Sequence, residues 1–371
     1  MNSYEGLTLG VEEEYQIIDP KTRQLSGRGE KIISFAEENY GKEIVQPEMH
    51  KSQIEIATSV CKSLAEVRSE LSEARRIVIE AAQRDNKAIA AAATHPFSHW
   101  KQQETTANFR YQKLEQEYQQ ILRELVTFGC HVHVGIEDKE VAIAVINRAR
   151  MWLSVLLALS ANSPFWLGKK TGYISYRTEL WSPFPLFGSP PVFEDYKAYQ
   201  NFVEQLIKME VIQDTTTIYW NIRISEHYPT IEFRVSDICL TVDEAVMIAG
   251  LVRGLVQTCL IEIENDFPLI FVHPELLKTA DWYAARYGLQ GKLIDVMQQR
   301  SKPAKDLVKQ FLNYVRPALE SLGDWEEVSS LVDKVLKHGN AAQRQLEIYQ
   351  RQGNIVEVVD YLVEQTRLGV V

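Results

Sequence analysis

The segment LTLGVEEEYQII, residues 7–18, alternates β-favouring apolar residues with polar ones and stops at Asp19 and Pro20. This pattern predicts a first strand followed by a turn. Because side chains on a strand point alternately to the two faces of a sheet, residues two positions apart share a face. Glu12 and Glu14 are therefore predicted to lie side by side on one face of an otherwise apolar strand.

Three further strand-like segments carry polar pairs with the same spacing. They are Gln53 with Glu55, His131 with His133, and Glu232 with Arg234. A solvated face would explain any one of these pairs, but four such strands in one chain make that interpretation weaker. If the four strands form one sheet with these faces aligned, the carboxylates of Glu12, Glu14, Glu55 and Glu232 converge.

Converging carboxylates repel one another. At an effective dielectric constant near 20, two like charges about 4 Å apart repel by roughly 4 kcal/mol, so the cluster needs cations or must protonate or splay. Carboxylate oxygen suits Mg²⁺ or Mn²⁺, and Mg²⁺ keeps positions open for water and substrate phosphate. The pattern therefore favours a magnesium site that works with ATP, while a mononuclear zinc site at His131 and His133 stays open.

The remaining periodicity predicts the architecture. Helical patterns cover residues 30–40, 63–84, about 110–125, 138–161, 194–210 and nearly everything from Thr241 onward. Residues 88–94 resemble a strand, SEHYP resembles a hairpin turn between the strands at 220–224 and 230–235, and residues 164–191 resemble a long loop. The prediction is an α+β fold in which residues 1–371 form one catalytic domain, with a helical C-terminal part from about residue 241.

Composition excludes some classes of function. The chain has 371 residues, 45% of them hydrophobic, and 40 Lys and Arg against 50 Asp and Glu, a net charge of -10. An acidic chain of this kind offers no broad cationic surface for a nucleic acid. The most apolar stretch, residues 152–161, is shorter than the roughly 20 residues that cross a bilayer. No secretory pattern opens the sequence, so a cytoplasmic protein without membrane contact is expected.

Neither a familiar phosphate loop nor an obvious nucleophile is present. GxxxxGK[ST] and GxGxxG are both missing, so arginines and metal ions would have to hold a nucleotide. Arg223 and Arg234 fit this role because a guanidinium can make two parallel hydrogen bonds to phosphate or carboxylate. Arg110 and Arg177, which lie beside tyrosines, are weaker candidates.

Cysteine and histidine patterns are less informative. The four cysteines lack CxxC spacing and are predicted to be reduced, buried thiols. Cys130 adjoins His131, but successive strand residues face opposite ways, which argues against a catalytic pair. For His95, in THPF, and for Trp220, a structural role explains the residue at least as well as contact with substrate.

An ordered series of motifs carries a family resemblance. It comprises LGVEEEYQIID (9–19), QIEIATSVC (53–61), THPF (94–97) with Trp100, RYQ (110–112), FGCHVHVG (128–135), ALSANSP (158–164), WNIRISEHYPTIEFRVSD (220–237) and the segment at 339–362. Together these motifs resemble the glutamate–cysteine ligase type 2 family, which includes bacterial carboxylate–amine ligases. The similarity covers essentially the whole chain.

The resemblance implies a glutamine-synthetase-like fold, with a curved, mostly antiparallel sheet, helices on one face, and Mg²⁺, ATP and the amino-acid substrate on the other. Carried over by position, it implies metal ligands at Glu12, Glu14, Glu55, His131 and Glu232. It places Arg234 near the transferring phosphate and Arg223 near a substrate carboxylate or phosphate, so both are predicted to be catalytic and to contact the nucleotide. Arg177, which none of these motifs includes, is predicted from its residue type to contact the nucleotide, and Arg110, Tyr111, His95 and Trp220 are the predicted substrate contacts. His133 matches its motif without a defined role.

The activity implied by the resemblance is ATP-dependent formation of a γ-glutamyl amide through an acyl phosphate, with cysteine as the expected amine and with Mg²⁺ or Mn²⁺. A homo-oligomer, preferably a dimer, that acts on small molecules is expected. The motifs do not define the amine acceptor. A metal-dependent amidohydrolase, or a metal- or nucleotide-binding sensor without turnover, stays as an alternative.

Overall fold

The structure, a computed structural model, describes residues 7–41 and 44–370. In chain order the strands are β1 Leu9–Ile18, β2 Val45–Pro47, β3 Gln53–Ala57, β4 Ala88–Ala90, β5 Gly129–Gly135, β6 Phe165–Trp166, β7 Lys169–Lys170, β8 Ile222–Ile224, β9 Thr230–Asp237, β10 Lys292–Asp295 and β11 Arg300–Pro303. The α-helices are α1 Gly29–Tyr40, α2 Leu64–Arg84, α3 Phe109–Tyr118, α4 Gln120–Glu124, α5 Lys139–Ala149, α6 Leu153–Ser160, α7 Tyr176–Trp181, α8 Tyr196–Lys208, α9 Val242–Glu264, α10 Pro274–Tyr287, α11 Ala304–Leu322, α12 Trp325–His338, α13 Ala341–Gln352 and α14 Ile355–Thr366.

Seven strands form the main sheet in the order β2-β3-β1-β5-β9-β8, with β4 paired to the end of β1. Every paired strand in this sheet is antiparallel. The predicted α+β fold with a mostly antiparallel sheet is therefore confirmed. Strand β1 pairs with β3 on one side and with β5 on the other, so its side chains lie in the middle of the sheet.

The two faces of the sheet differ in chemistry. One face carries buried apolar side chains from the central strands, including Val11, Ile56, Val132 and Phe233. This face packs against α2 and α9, and α9 is buried around most of its circumference. Burial of apolar area stabilises this layer, at about 25 cal/mol per Å² removed from water.

A buried ion pair lies on the apolar face. Arg75 of α2 donates to both carboxylate oxygens of Glu13, at 2.6 and 2.9 Å, and to the backbone carbonyls of Cys239 and Leu240. The Tyr15 hydroxyl donates to the same carboxylate. Both charges are almost completely buried, and removing one partner of such a pair strands the other charge in a low dielectric. The pair ties β1 to α2 and to the segment that follows β9.

Several predicted boundaries were wrong. The helix predicted at about 110–125 is two helices separated at Gln119, whose φ of 51° lies in the left-handed region. The loop predicted at 164–191 contains β6, β7 and α7, and the helical C-terminal part contains the β10–β11 hairpin. The strand predicted at 88–94 ends at Ala90. Short elements of two to six residues are too brief to show a period in the sequence.

Two helical stretches, residues 139–160 and 242–264, are long and apolar enough to cross a membrane by length and composition. Within the fold, 83% and 78% of the respective apolar windows are buried. This is the environment of core helices. The four cysteines are buried and free of disulfides, as predicted.

A buried carboxyl group provides a probe of the packing between α10 and the start of β8. Asp281 of α10 accepts hydrogen bonds from Ser189 Oγ, at 3.4 Å, and Asn221 Nδ2, at 3.3 Å, and faces no cation within these contacts. Burial raises the pKa of Asp281 to about 7, because two neutral donors do not offset the loss of water.

We expect Asp281→Asn to remove a pH dependence of stability. The native carboxyl keeps a proton that the unfolded chain loses above about pH 4, so wild-type stability should fall as the pH rises from about 4 to about 7. Between pH 5 and 8 the wild type should lose about 2 kcal/mol more than the variant. Urea unfolding at both pH values measures the difference. An equal change in the free energy of unfolding between pH 5 and pH 8 in the two proteins would contradict the expectation.

Candidate active site

The polar face of the main sheet is built by cross-strand neighbours. Glu14 lies opposite Glu55, Glu12 opposite His131, and Glu232 opposite both His133 and Arg223. A register shift between β5 and β9 falls between Cys130 and Val132. The structure therefore brings the polar pairs of the four strands onto one face.

Glu12, His131 and Glu232 form a group whose ligand atoms lie within 4.8 Å of one another. His131 Nδ1 is 3.2 Å from Glu12 Oε2 and 4.0 Å from Glu232 Oε1, whereas the buried His131 Nε2 has no hydrogen-bond partner among the described residues. Burial, reinforced by the charge of Arg234, lowers the pKa of His131 to about 4. The imidazole is therefore neutral at pH 7, the form that binds metal ions.

A second group of carboxylates lies along the same face. Burial raises the pKa of Glu14 to about 8, and the charge of Glu48 adds to this rise. Burial, with the charges of Glu12, Glu48 and Glu14, also holds the pKa of Glu55 well above its usual range. These carboxylates cannot all ionise without added positive charge. A cluster of hard oxygen donors with an unpartnered imidazole nitrogen fits Mg²⁺ or Mn²⁺.

Glu48 is a member of this face that the sequence pattern does not reveal. It follows β2, whose partner strand β3 carries Glu55, and it accepts a hydrogen bond of 2.8 Å from the Tyr111 hydroxyl. Burial raises the pKa of Glu48, although Tyr111 and the charges of Arg110 and Arg234 act against the rise. Only the unpredicted pairing of the three-residue β2 with β3 could have indicated this position.

Two arginines clamp Glu232. Arg223 donates to both carboxylate oxygens, at 2.7 and 3.3 Å, and its remaining terminal nitrogen donates to the carbonyls of Thr216 and Ile218. Arg234 donates to Glu232 Oε1 and lies 3.4 Å from His131 Nδ1. Burial alone would raise the pKa of Glu232, but the two guanidinium charges hold it well below its usual range. Both arginines thus hold Glu232, and Arg234 in addition approaches His131.

Arg177 reaches the same face from α7, inside the segment predicted to be a loop. It is buried, its Nη2 donates to the Arg234 carbonyl at 3.3 Å, and its Nη1 lies 3.9 Å from Asp237 Oδ1. Asp237 is itself held by the Ser163 and Ser175 hydroxyls, at 2.7 and 2.8 Å. The Nε atom of Arg177 has no hydrogen-bond partner within the described chain.

The other predicted substrate residues fall into two groups. Arg110 is exposed at the start of α3, where its charge acts on Glu48 and on the Tyr111 hydroxyl. His95 instead lies in a turn: its Nε2 is 2.9 Å from the Arg23 carbonyl, and its Nδ1 accepts from two backbone N–H groups.

Trp220 is buried and packs its indole against Phe193, Tyr199 and Phe202. These ring contacts are those of a core side chain. The structure therefore brings Arg110 and Tyr111 to the carboxylates, whereas the described hydrogen bonds and ring contacts of His95 and Trp220 are made with other parts of the chain.

A cavity of about 650 Å³ opens beside Glu12 and His133. Its walls are mostly apolar, and two of its lining side chains are unusually exposed for their type: Val60 at 73% and Tyr228 at 60%. His133 hydrogen-bonds Thr230 Oγ1 through Nδ1, at 2.9 Å, and its Nε2 lies 3.3 Å from Glu12 Oε1. The cavity and the candidate metal ligands therefore share a wall.

Comparison with known proteins decides the family. Residues 8–361 match the family described as glutamate-cysteine ligase family 2 (GCS2). The chain belongs to this family. A relative from Rhodopirellula baltica, which carries the provisional name glutamate–cysteine ligase 2, is 39% identical over 368 residues, 98% of each chain. A relative from Solibacter usitatus with the same name is 37% identical over 363 residues, 98% of this chain and 94% of that one. Family membership makes the protein a carboxylate–amine ligase.

Solved structures agree on the fold of this family-2 ligase. The glutamate–cysteine ligase of Francisella tularensis in complex with AMP superposes with a TM-score of 0.74, covering 98% of this chain and 89% of that one at 13% identity. A bifunctional glutathione synthetase from Pasteurella multocida gives 0.68, covering 98% and 53% at 13% identity. At this identity the likeness concerns the fold, and it confirms the predicted fold class.

We expect Gly129→Ala to weaken binding of Mn²⁺ about tenfold or more. Disturbing the groups that orient metal ligands typically costs that much affinity. A methyl group there would lie 2.7 Å from Arg177 Nη2 and 3.0 Å from His131 Nε2, so both side chains must shift. Gly10→Ala is the matched control, since its methyl group would meet His133 Cβ at an ordinary 3.6 Å. Equal Mn²⁺ affinities of the two variants in a calorimetric titration would contradict the expectation.

Proposed function

We propose that this family-2 ligase uses ATP to join the side-chain carboxylate of glutamate to an amine, with cysteine as the expected acceptor. The observation that supports it most is the convergence of carboxylates, an imidazole and arginines on one sheet face beside a cavity. We further propose that residues 1–371 form one catalytic domain that acts in the cytoplasm, where its product would enter glutathione biosynthesis.

The donor set supports divalent cations as the partners of ATP. Mg²⁺, or Mn²⁺ in its place, would supply positive charge that opposes the phosphate oxygens and orients them. The carboxylates need such charge, because burial otherwise holds protons on Glu14 and Glu55. The proposed ligands form two groups, Glu12, His131 and Glu232 in one and Glu14, Glu48 and Glu55 in the other.

The cavity beside Glu12 is the proposed site for the nucleoside part of ATP. Its volume of about 650 Å³ lies in the range of small-molecule sites, and its apolar walls suit a purine ring. Tyr228 and Val60, which line the cavity, would contact that ring, and Glu12 belongs both to the cavity lining and to the proposed metal ligands. The phosphates would then extend along the sheet face toward Arg234.

The opposite end of the face is the proposed site for glutamate and the amine. Arg177 and Arg110, neither of which donates to both oxygens of a carboxylate within the described residues, are the proposed cations of this site, and Tyr111 adds a hydroxyl. A guanidinium can bind a carboxylate through two hydrogen bonds, so these arginines suit the α-carboxylates of amino acids. His95 and Trp220 would act on this site only indirectly, through the turn and the core that hold it.

The chemistry must overcome a poor electrophile and a protonated nucleophile. In the proposed reaction an oxygen of the glutamate side chain attacks the γ-phosphorus of ATP, ADP leaves, and a glutamyl phosphate forms. The lone pair of the neutral amine then attacks the acyl carbon, phosphate leaves, and the amine nitrogen loses its extra proton. Arg234 would stabilise charge on the transferring phosphoryl group, while Arg223 keeps Glu232 in place.

Glu14→Gln and Glu232→Gln should each reduce turnover by about a thousandfold or more, because each replaces a proposed metal-binding carboxylate with a neutral amide of the same shape. ADP release gives the rate, and circular dichroism with thermal melting checks the fold. Glu38→Gln, which changes an exposed carboxylate on α1, is the control and should keep wild-type activity. Near-normal turnover in either site variant would refute the assigned site.

The proposal as a whole is tested by ADP release from Mg-ATP and glutamate, first without an acceptor and then with each of a panel of amino acids, cysteine first. Turnover that requires glutamate and one amine would support the ligase and name its acceptor. Stoichiometric ATP binding without ADP release would indicate a sensor instead. Metal-dependent amide hydrolysis without any ATP requirement would indicate an amidohydrolase.

A further inference from the structure

A second cavity, of about 300 Å³, lies between the segment that joins β7 to α7, the end of α10 and one side of α13. It shares no lining residue with the cavity beside Glu12. Its charged lining side chains are Lys170 and Arg286, and none of the described residues that line it is acidic. The chain as a whole has 50 acidic residues against 40 basic ones, so a cavity lined by bases alone runs against the composition. We call it the basic cavity.

Both cations of the basic cavity rest on aromatic rings and have no acidic partner. The Lys170 ammonium lies 4.8 Å from the centre of the Tyr349 ring. The Arg286 guanidinium lies 4.9 and 5.6 Å from the ring centres of Tyr287 and Tyr173. Within the described residues neither cation forms an ion pair. An aromatic ring holds a cation in place but leaves its charge uncompensated.

Several hydrogen-bond donors of the cavity are unused. Arg286 donates through Nη1 to the Gly172 carbonyl, whereas its Nε and Nη2 atoms have no hydrogen-bond partner in the described part of the chain. The same is true of Lys170 Nζ. The carboxamides of Gln290 and Gln350 also line the cavity. Guanidinium and ammonium donors of one charge sign attract carboxylate or phosphate groups, and carboxamides add neutral donors.

The acidic side chains on the neighbouring helices are engaged elsewhere. Glu347 of α13 lies 3.7 Å from Arg351 on the same helix. Asp281 of α10 is buried and accepts hydrogen bonds from Ser189 and Asn221. The positive charge of the basic cavity is therefore not offset by these two carboxyl groups.

The wall of the basic cavity leads directly to the candidate active site. The backbone N–H groups of Ile174 and Ser175 both donate to the carbonyl of Ala285, at 2.7 and 3.0 Å, and Arg286 is the next residue of α10. Arg177 follows two residues after Ser175 and reaches the polar face of the main sheet. The segment at residues 170–175 thus has the basic cavity at its beginning and Arg177 just beyond its end.

We propose that the basic cavity binds a small anion that carries carboxylate or phosphate groups, and that the bound anion restrains the segment at residues 170–175 through Lys170 and Arg286. The volume of about 300 Å³ is at the lower end of the range for small-molecule sites, so the anion must be compact. This inference goes beyond the reaction proposed above and does not depend on it.

Calorimetric titration of the full chain, without metal or nucleotide, tests the site with two probes, inorganic phosphate and succinate. At least one should bind with a Kd of about 1–10 mM. Lys170→Gln removes a cation and Gln350→Glu adds an anion to the cavity, so each should weaken binding about fivefold or more. Lys169→Gln and Gln352→Glu are the matched controls, because both residues are exposed neighbours that do not line the cavity.

The variants also distinguish this site from the arginines of the polar sheet face. Phosphate bound at that face would be insensitive to Gln350→Glu. The proposal is overturned if neither probe binds below about 50 mM, or if the cavity variants and their controls bind equally well. Tighter binding of phosphate or of succinate identifies the anionic group that the cavity prefers, and circular dichroism confirms that each variant folds.

Hydrogen exchange of the backbone tests the restraint on the segment. With the tighter-binding probe at saturation, a peptide covering residues 170–176 should exchange at least about threefold more slowly in the wild type, because local opening becomes less favourable. At the same probe concentration Gln350→Glu should show less protection, and Gln352→Glu should match the wild type. Exchange in the wild type that the anion leaves unchanged would contradict the restraint.

Discussion

The mutual repulsion of carboxylates on one face of the main sheet is the constraint to which the surrounding structure responds. Cross-strand register fixes Glu14 opposite Glu55 and Glu12 beside His131, so these groups cannot move apart without breaking the ladders. Arg223 and Arg234 offset the charge of Glu232. The raised pKa values of Glu14 and Glu55 mean that these two carboxyl groups keep protons unless positive charge is added beside them.

The opposite face supplies the rigidity that this arrangement requires. Apolar side chains of this face pack against α2 and α9. The buried ion pair of Glu13 with Arg75 anchors β1 between Glu12 and Glu14, whose side chains point to the polar face. Because successive residues of a strand point to opposite faces, a shift of one residue would place the site residues in the core. The same alternation thus determines both the packing of the fold and the position of the site.

Strand alternation and the family motifs were sufficient to predict the sheet, its antiparallel character and the convergence of Glu12, Glu14, Glu55, His131 and Glu232. They could not predict Glu48, because its position depends on β2, whose three residues show no period. Arg177 was predicted, but its support by α7 was not, since prolines and glycines make residues 164–191 resemble a loop. His95 and Trp220 show a second limit of the motifs. A residue within a family motif can hold a turn or pack in the core instead of contacting a ligand.

Binding of divalent cations to this face is measured by calorimetric titration with Mn²⁺. The wild type should bind Mn²⁺, and Glu55→Gln, which keeps the side-chain shape but replaces a carboxylate with a neutral amide, should bind it at least about tenfold more weakly. If the wild type bound no Mn²⁺, or if Glu55→Gln bound it with unchanged affinity, the carboxylate face would not be a metal site.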